Sequence, residues 1–119
     1  MSIAIAAIGT EEDLCVLVEV ANPNPRPLRV SALEIQEEGG RRFAVATPGS
    51  DKGLPCLLNE TEKAHYWASA PQLGNIMVES GYGRKRRIKA LITDSYDKKH
   101  VSEWMEFDAA HWKARMKTV

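Results

Sequence analysis

The amino-acid sequence predicts a mainly β protein, an antiparallel β-sandwich of about seven strands with one short inserted helix at about 70–80 and a C-terminal helix at about 109–117. Two observations carry this prediction. Apolar residues alternate with a period of two over short stretches, and turn-forming residues interrupt these stretches about every eight to twelve positions. The chain has 119 residues, 44% hydrophobic and 27% charged. That size suits a single folded domain over 1–119, with a helical extension at about 108–119.

The first half of the chain contains four predicted strands. Residues 2–8 are apolar but too short to cross a bilayer and lack the basic flank of a signal peptide, so we expect a strand there. In the second strand, alternate residues share one face, namely Leu14, Val16, Val18 and Val20. The proline-rich segment 22–27 breaks the chain. In the next predicted strand, 28–37, the alternation of apolar residues shifts by one position, which indicates a bulge. A turn at 38–41 joins this strand to a partner at 42–47.

The second half adds two helices and further strands. A short strand at 63–68 precedes a helix with Ser69 as N-cap, Pro71 in its first turn and Gly81 past its end. One face of this helix is expected to carry Leu73, Ile76 and Met77. Two strands follow, with inward residues Ile88, Ala90 and Ile92 in the first and Val101, Met105 and Phe107 in the second. Asp108 is the expected cap of the final helix.

The alternation around the proline turn resembles a known class of module. The pattern is Val16-x-Val18-x-Val20-x-Asn22, a proline turn and Leu28-x-Val30, then Ile88-x-Ala90-x-Ile92-x-Asp94-Ser95 before His100-x-Ser102. It looks like small immunoglobulin-like or fibronectin-III-like sandwich modules of bacterial and phage proteins of unassigned function. The resemblance covers about residues 14–107 and implies a fold, not a function. The Cys…Trp…Cys spacing of antibody domains is missing, so no disulfide between the sheets is implied.

Charge is divided along the chain, although its formal net value is zero. Residues 1–80 contain six Lys/Arg and eleven Asp/Glu, whereas residues 81–119 contain ten and five. Such a division is typical of a surface for nucleic acid or an acidic partner. The alternative is that the two halves neutralise each other in the fold.

No motif in the sequence predicts catalysis or metal binding. The three histidines lack the spacings of zinc sites, and we expect each to be solvated at the surface. Asp94, Ser95, Asp97 and His100 flank a turn without a Gly-x-Ser-x-Gly elbow, which favours a turn over a Ser/His/Asp site. Glu37 and Glu38 are expected in a polar turn. We therefore predict no enzymatic activity, no metal and no cofactor.

The best candidate contact surface is the basic run Arg84-Lys85-Arg86-Arg87-Ile88-Lys89, which holds five of the sixteen Lys and Arg residues. We expect its first three cations in a turn and Arg87, Lys89 and Leu91 on the outer face of a strand. Trp104 is predicted to face outward beside Leu91, as an interface anchor. Two alternatives remain. The run is a solvated strand edge protected by its charges, or the C-terminal helix covers Trp104 with Trp112 and Met116.

These features favour a non-enzymatic protein-binding module in the cytoplasm, acting on a protein partner as an adaptor or phage-type inhibitor, with reduced cysteines and no membrane contact. The first alternative is a nucleic-acid-binding protein that uses the Arg84–Lys89 run, extended by Lys113, Arg115 and Lys117. The second is a structural component of a larger phage or bacterial assembly, whose strand edges pair with neighbours. The sequence leaves homo-oligomerisation open.

Overall fold

The computed structural model of the protein describes residues 2–9, 14–45 and 48–114. This part of the chain is mainly β, with two antiparallel sheets and two short helices. In chain order the elements are β1 (Ser2–Gly9), β2 (Leu14–Ala21), β3 (Leu28–Glu37), β4 (Arg42–Ala44), β5 (Gly49–Ser50), β6 (Cys56–Leu58), β7 (Lys63–Ser69), α1 (Ala70–Glu79), β8 (Lys85–Asp94), β9 (Lys99–Val101), β10 (Met105–Asp108) and α2 (Ala109–Lys113). The β-rich class with two helices is therefore confirmed.

The first sheet has the strand order β1-β2-β7-β5, and the second has the order β10-β8-β3-β4, with β6 paired to β3 and β9 paired to β8. The described strands number ten, rather than about seven, because short pieces such as β5 and β6 pair locally at sheet edges. The predicted bulge in β3 is confirmed by a register shift between Val30 and Ala32 against β8. The turn before Arg42 joins β3 to β4 as expected.

One hydrophobic core receives side chains from both sheets and from α1. The inward residues of β2 and β8 that the alternation predicts are buried in it, namely Val16, Val18, Val20, Ile88, Ala90 and Ile92. Tyr66 of β7 is also fully buried, and its hydroxyl donates to the Gly53 carbonyl oxygen. Cys56 is buried with a free thiol.

Helix α1 begins at the predicted cap, where the Gln72 N–H donates to the Ser69 hydroxyl. Leu73 and Met77 are buried, but Ile76 is 48% exposed, so only two of the three predicted face residues reach the core. Gly74 permits close packing of the two helices, because a Cβ there would lie 2.6 Å from the Ala109 carbonyl oxygen of α2.

The prediction that Val101 faces the core is wrong, because the chain carries an extra residue between β9 and β10. Val101 pairs with Leu91 and Met105 pairs with Ile88, so three residues stand opposite two. The Ser102 hydroxyl accepts from the Ala90 N–H at 2.8 Å, and the Ser102 N–H donates to the Ala90 carbonyl at 3.0 Å. This bulge turns Val101 to the outer face, where it is 50% exposed.

Helix α2 is capped by Asp108 as predicted and lies against α1. Trp112 stacks on Phe107 with ring centroids 6.2 Å apart, and Phe107 belongs to the core. Trp112 therefore does not form the cover over Trp104 that the alternative required, and Trp104 is 41% exposed. Met116 and the predicted helical positions 115–117 lie outside the described residues.

Candidate functional site

The basic run opens strand β8, so its side chains are distributed by the strand's alternation. The prediction that Lys85 and Arg86 lie in a turn is wrong, since both belong to β8 and pair with β10. Arg84 precedes the strand and is exposed. Arg86 shares the inner face with Ile88, whereas Arg87 and Lys89 share the outer face. The run is thus split between two environments.

Arg86 is bound to a buried carboxylate at the end of the core. Its Nη1 donates to Glu37 Oε2 at 3.0 Å, and the Glu37 side chain has no exposed surface. The Gly39 N–H donates to Glu37 Oε2 at 2.7 Å, and the Arg41 N–H donates to Oε1 at 3.0 Å. The expectation that Glu37 sits in a polar turn is therefore wrong. It is the last residue of β3, and its carboxylate organises the turn that follows.

The electrostatics of Glu37 follow from these contacts. Burial acts to raise the pKa of this carboxyl, but the two backbone amides and the Arg86 guanidinium outweigh burial and hold the pKa below its usual value. The Arg86 guanidinium also lies 4.9 Å from the centre of the Tyr82 ring. Arg86 is consequently a structural residue rather than a contact residue.

Two more cations of the run are paired with glutamates at the surface. Lys85 lies 3.1 Å from Glu106, and Arg87 lies 3.4 Å from Glu38. Exposed pairs of this kind contribute about 0–1 kcal/mol each, so they stay available for exchange with a partner. Glu37 and Glu38 both come from the acidic first 80 residues. The division of charge along the chain is therefore compensated in part within the second sheet.

An exposed tryptophan with two cations around it lies on the outer face of the second sheet. The Lys89 ammonium is 4.5 Å from the centre of the Trp104 ring, and the Arg87 guanidinium is 5.8 Å from it. Val101 adds exposed apolar surface on the same face. We call Trp104, Lys89, Arg87 and Val101 together the Trp104 face. Of the seven residues predicted to bind a partner, it contains three.

The prediction that Leu91 lies on the outer face is confirmed, but the prediction that it is a contact residue beside Trp104 is wrong. It stands on the outer face between Glu34 of β3 and Val101 of β9, yet only 4% of it is exposed. At this exposure it offers almost no surface to a partner. The exposed apolar residue on this face is instead Val101, which follows from the bulge.

Two histidines contact carboxylates, and for His100 the expectation of a solvated side chain is wrong. His100 Nε2 lies 2.8 Å from Asp94 Oδ2, and the His100 side chain is only 14% exposed. On the first sheet, His65 Nδ1 lies 2.9 Å from Asp51 Oδ2. Asp94 also accepts backbone N–H groups of its own turn, while Ser95 is exposed, so the geometry matches a structured turn.

Two kinds of feature are absent from the described residues. No cluster of three or more His, Cys, Asp or Glu residues within them is placed to hold a metal ion. None of the helices in the same ranges has the length and apolarity needed to cross a membrane.

The described residues also line two clefts away from the Trp104 face. One of about 640 Å³ is lined by apolar and aromatic residues beside β4 and β5, including Phe43, Trp67 and Ile76. The other, of about 630 Å³, lies between the proline-rich segment and the turn after β8. Sequence reasoning missed both, because each is formed by residues far apart in the chain. Only the exposed aromatic Tyr96 and the cations near it offered a signal for the second.

No model of a known protein family, no curated protein and no solved structure matches this chain.

Proposed function

We propose that this protein is a non-enzymatic protein-binding module whose contact surface is the Trp104 face. One observation carries the proposal: an indole that is 41% exposed is flanked by the Lys89 ammonium at 4.5 Å and by the Arg87 guanidinium at 5.8 Å. Tryptophan and arginine are the residues that most often dominate binding energy at protein interfaces.

The chemistry of the face indicates what a partner offers. A pocket that accepts the Trp104 indole and the exposed Val101 side chain supplies apolar burial. Carboxylates at the rim of that pocket replace Glu38 as partner of Arg87 and provide a counter-ion for Lys89. The partner is therefore a folded protein with an apolar pocket and an acidic rim. The module acts on it as an adaptor or as a phage-type inhibitor.

The proposal includes the finer fold, an immunoglobulin-like or fibronectin-III-like sandwich. It is supported by two antiparallel sheets whose inner residues join one core, and by the proline turn between β2 and β3, which belong to different sheets.

A capture experiment from a bacterial lysate tests the function. The immobilised protein, Trp104→Ala, Lys89→Glu and Trp67→Ala are compared at equal loading, with folding checked by circular dichroism. Trp67 is the matched control, because it is 40% exposed on the outer face of the other sheet. We expect one protein to be retained by the wild type and by Trp67→Ala, and lost by more than tenfold from the two Trp104-face variants. Equal retention by all four proteins, or no retained protein at any salt concentration, contradicts the proposal.

The nucleic-acid alternative has less support, because Arg86, in the middle of the run, is held by the buried Glu37 carboxylate. It predicts a mobility shift at low salt that weakens steeply as salt rises and disappears in Arg84→Glu with Lys89→Glu. The structural alternative requires self-association through sheet edges. Light scattering over a concentration series that showed an oligomer would favour it over a monomeric adaptor.

A further inference from the structure

The second cleft, of about 630 Å³, lies at the opposite end of β8 from the basic run. Its two walls are the proline-rich segment after β2 and the turn between β8 and β9. The lining residues are Asn24, Arg26, Pro27, Leu28, Asp94, Tyr96, Lys98 and His100. The volume is in the range of small-molecule sites.

The first wall is fixed by a buried asparagine. Asn22 has no exposed surface, and its Nδ2 donates at 2.9 Å to the carbonyl oxygens of both Arg26 and Leu58. Its Oδ1 accepts from the Asn24 N–H at 3.1 Å. All of these bonds go to backbone groups, and prolines restrict φ on either side. Arg26 is therefore presented by a rigid loop.

The second wall is fixed by a buried aspartate. Asp94 Oδ1 accepts from the N–H groups of Tyr96 and Lys98, at 2.9 and 3.0 Å, and Oδ2 contacts His100. Burial acts to raise the pKa of Asp94, but these three contacts outweigh it and lower the pKa, so the group stays ionised at neutral pH. Both oxygens of the only carboxylate in the lining are thus engaged within the wall.

The charge of the cleft follows from this arrangement. Arg26 and Lys98 are exposed lining residues, and neither forms an ion pair with any carboxylate in the described ranges. Asp97 belongs to the same turn but does not line the cleft. Two cations therefore face one space without a direct ion pair, and both oxygens of the one carboxylate in the lining, Asp94, are bound within its own turn. Pro27 and Leu28 add apolar surface beside them.

We propose that this cleft binds a small organic dianion, with a phosphate monoester or a pair of carboxylates held between Arg26 and Lys98. The planar guanidinium matches two oxygens of either group, and the ammonium adds a point charge. The apolar surface of Pro27 and Leu28 suits a short carbon skeleton on the anion. The pre-formed walls reduce the ordering cost of binding. The site is separate from the Trp104 face and does not depend on it.

An NMR titration of the ¹⁵N-labelled full chain tests the site, with glycerol 3-phosphate and succinate as probes at constant ionic strength. We expect saturable shifts confined to the amides of 24–28 and 94–100 for at least one probe. Arg26→Gln and Lys98→Gln each remove one charge from an exposed position, and each should weaken binding about tenfold. Arg84→Gln, which removes an exposed arginine at the far end of β8, is the matched control and should bind as wild type does.

Three outcomes overturn the inference. Neither probe gives saturable shifts, or the shifts spread over lysines and arginines across the whole surface, or Arg84→Gln weakens binding as much as Arg26→Gln. Arg26→Lys keeps the positive charge but removes the guanidinium group. A loss of affinity in this variant identifies the guanidinium geometry, and not the charge alone, as the recognition element. Unchanged unfolding midpoints in urea show that the variants are folded.

Discussion

Glu37 and Asp94 occupy corresponding places at opposite ends of the central strand pair. Glu37 ends β3 and Asp94 ends β8, and each is a buried carboxylate that accepts two N–H groups from the turn that follows it. Each also contacts one cationic or titratable side chain. At Glu37 this is Arg86, always charged, whereas at Asp94 it is His100, whose charge depends on pH.

The difference explains why the two ends of β8 offer different surfaces. At the Glu37 end, Arg86 is bound to the buried carboxylate. The cations beside Trp104 are therefore those of the outer face, Arg87 and Lys89. At the Asp94 end, the carboxylate accepts hydrogen bonds from its own turn. The cations Arg26 and Lys98 face a cleft there. The same feature, a buried carboxylate at a strand end, thus accompanies an exposed face in one place and a cleft in the other.

The largest effect is expected from Glu37→Gln. The neutral amide leaves the half-buried Arg86 without its counter-ion and places an NH₂ group against backbone donors, so the unfolding free energy should fall by about 2–3 kcal/mol. Urea denaturation at pH 7 measures it. Glu38→Gln is the control, because its pair with Arg87 is exposed and should contribute less than about 1 kcal/mol. Equal losses from both variants would mean that burial does not distinguish the two glutamates.

Asp94→Asn should cost less, about 1–2 kcal/mol in the same assay. The asparagine Oδ1 still accepts from the Tyr96 and Lys98 N–H groups, so only the contact with His100 is replaced. Asp97→Asn is the control, since Asp97 is exposed and asparagine tolerates its φ of 60°. A loss greater than that of Glu37→Gln would reverse the comparison and make the cleft end the more stabilising one.

Acid is expected to weaken both ends. The pKa values of Glu37 and Asp94 are lowered by folding, so their stabilisation is complete above the unfolded pKa values and is lost as pH falls through the folded ones. The unfolding free energy should therefore decrease below about pH 5. Glu37→Gln and Asp94→Asn should each flatten this decrease, as measured by urea denaturation from pH 7 to pH 3. A decrease that neither variant changes would assign acid sensitivity to other carboxylates.

His65 on the first sheet should show the opposite sign and a smaller effect. Asp51 and Glu19 raise its pKa, so its stabilisation is present below the unfolded value and is lost as pH rises through the folded one. His65→Gln should lower the unfolding free energy by less than about 1 kcal/mol at pH 5.5, since solvent screens this partly exposed cluster. The difference from wild type should vanish above about pH 8. A difference that persisted there would indicate a packing role for the ring.

The elements that sequence alone predicts correctly are those whose signals are local. Strand β2 and the inner residues of β8 follow from alternation, and α1 follows from its Ser69 cap and its proline in the first turn. Trp104 is exposed, as the alternation from Phe107 indicates. Each of these depends on neighbours within a few positions.

The features that sequence reasoning misses depend on partners distant in the chain. Glu37 looks like part of a polar turn until Arg86, 49 positions later, is paired with it. Leu91 is buried at a position flanked by both β3 and β9. Val101 is exposed because of the bulge in which the Ser102 hydroxyl accepts from the Ala90 N–H. Asn22 reads as a turn residue, although its side chain anchors a loop. The sequence therefore predicts where the candidate site lies, but not which residues form it.

The bulge at Ser102 also makes this segment sensitive to length. Because side chains alternate between faces, the extra residue between β9 and β10 sets which of Trp104 and Met105 points to solvent. Removing one residue at 103 would leave two residues opposite two, so the bulge would be lost together with the place that the Ser102 hydroxyl takes in the ladder. Substitution of Ser102 is expected to affect the same contact, because its hydroxyl accepts from the Ala90 N–H.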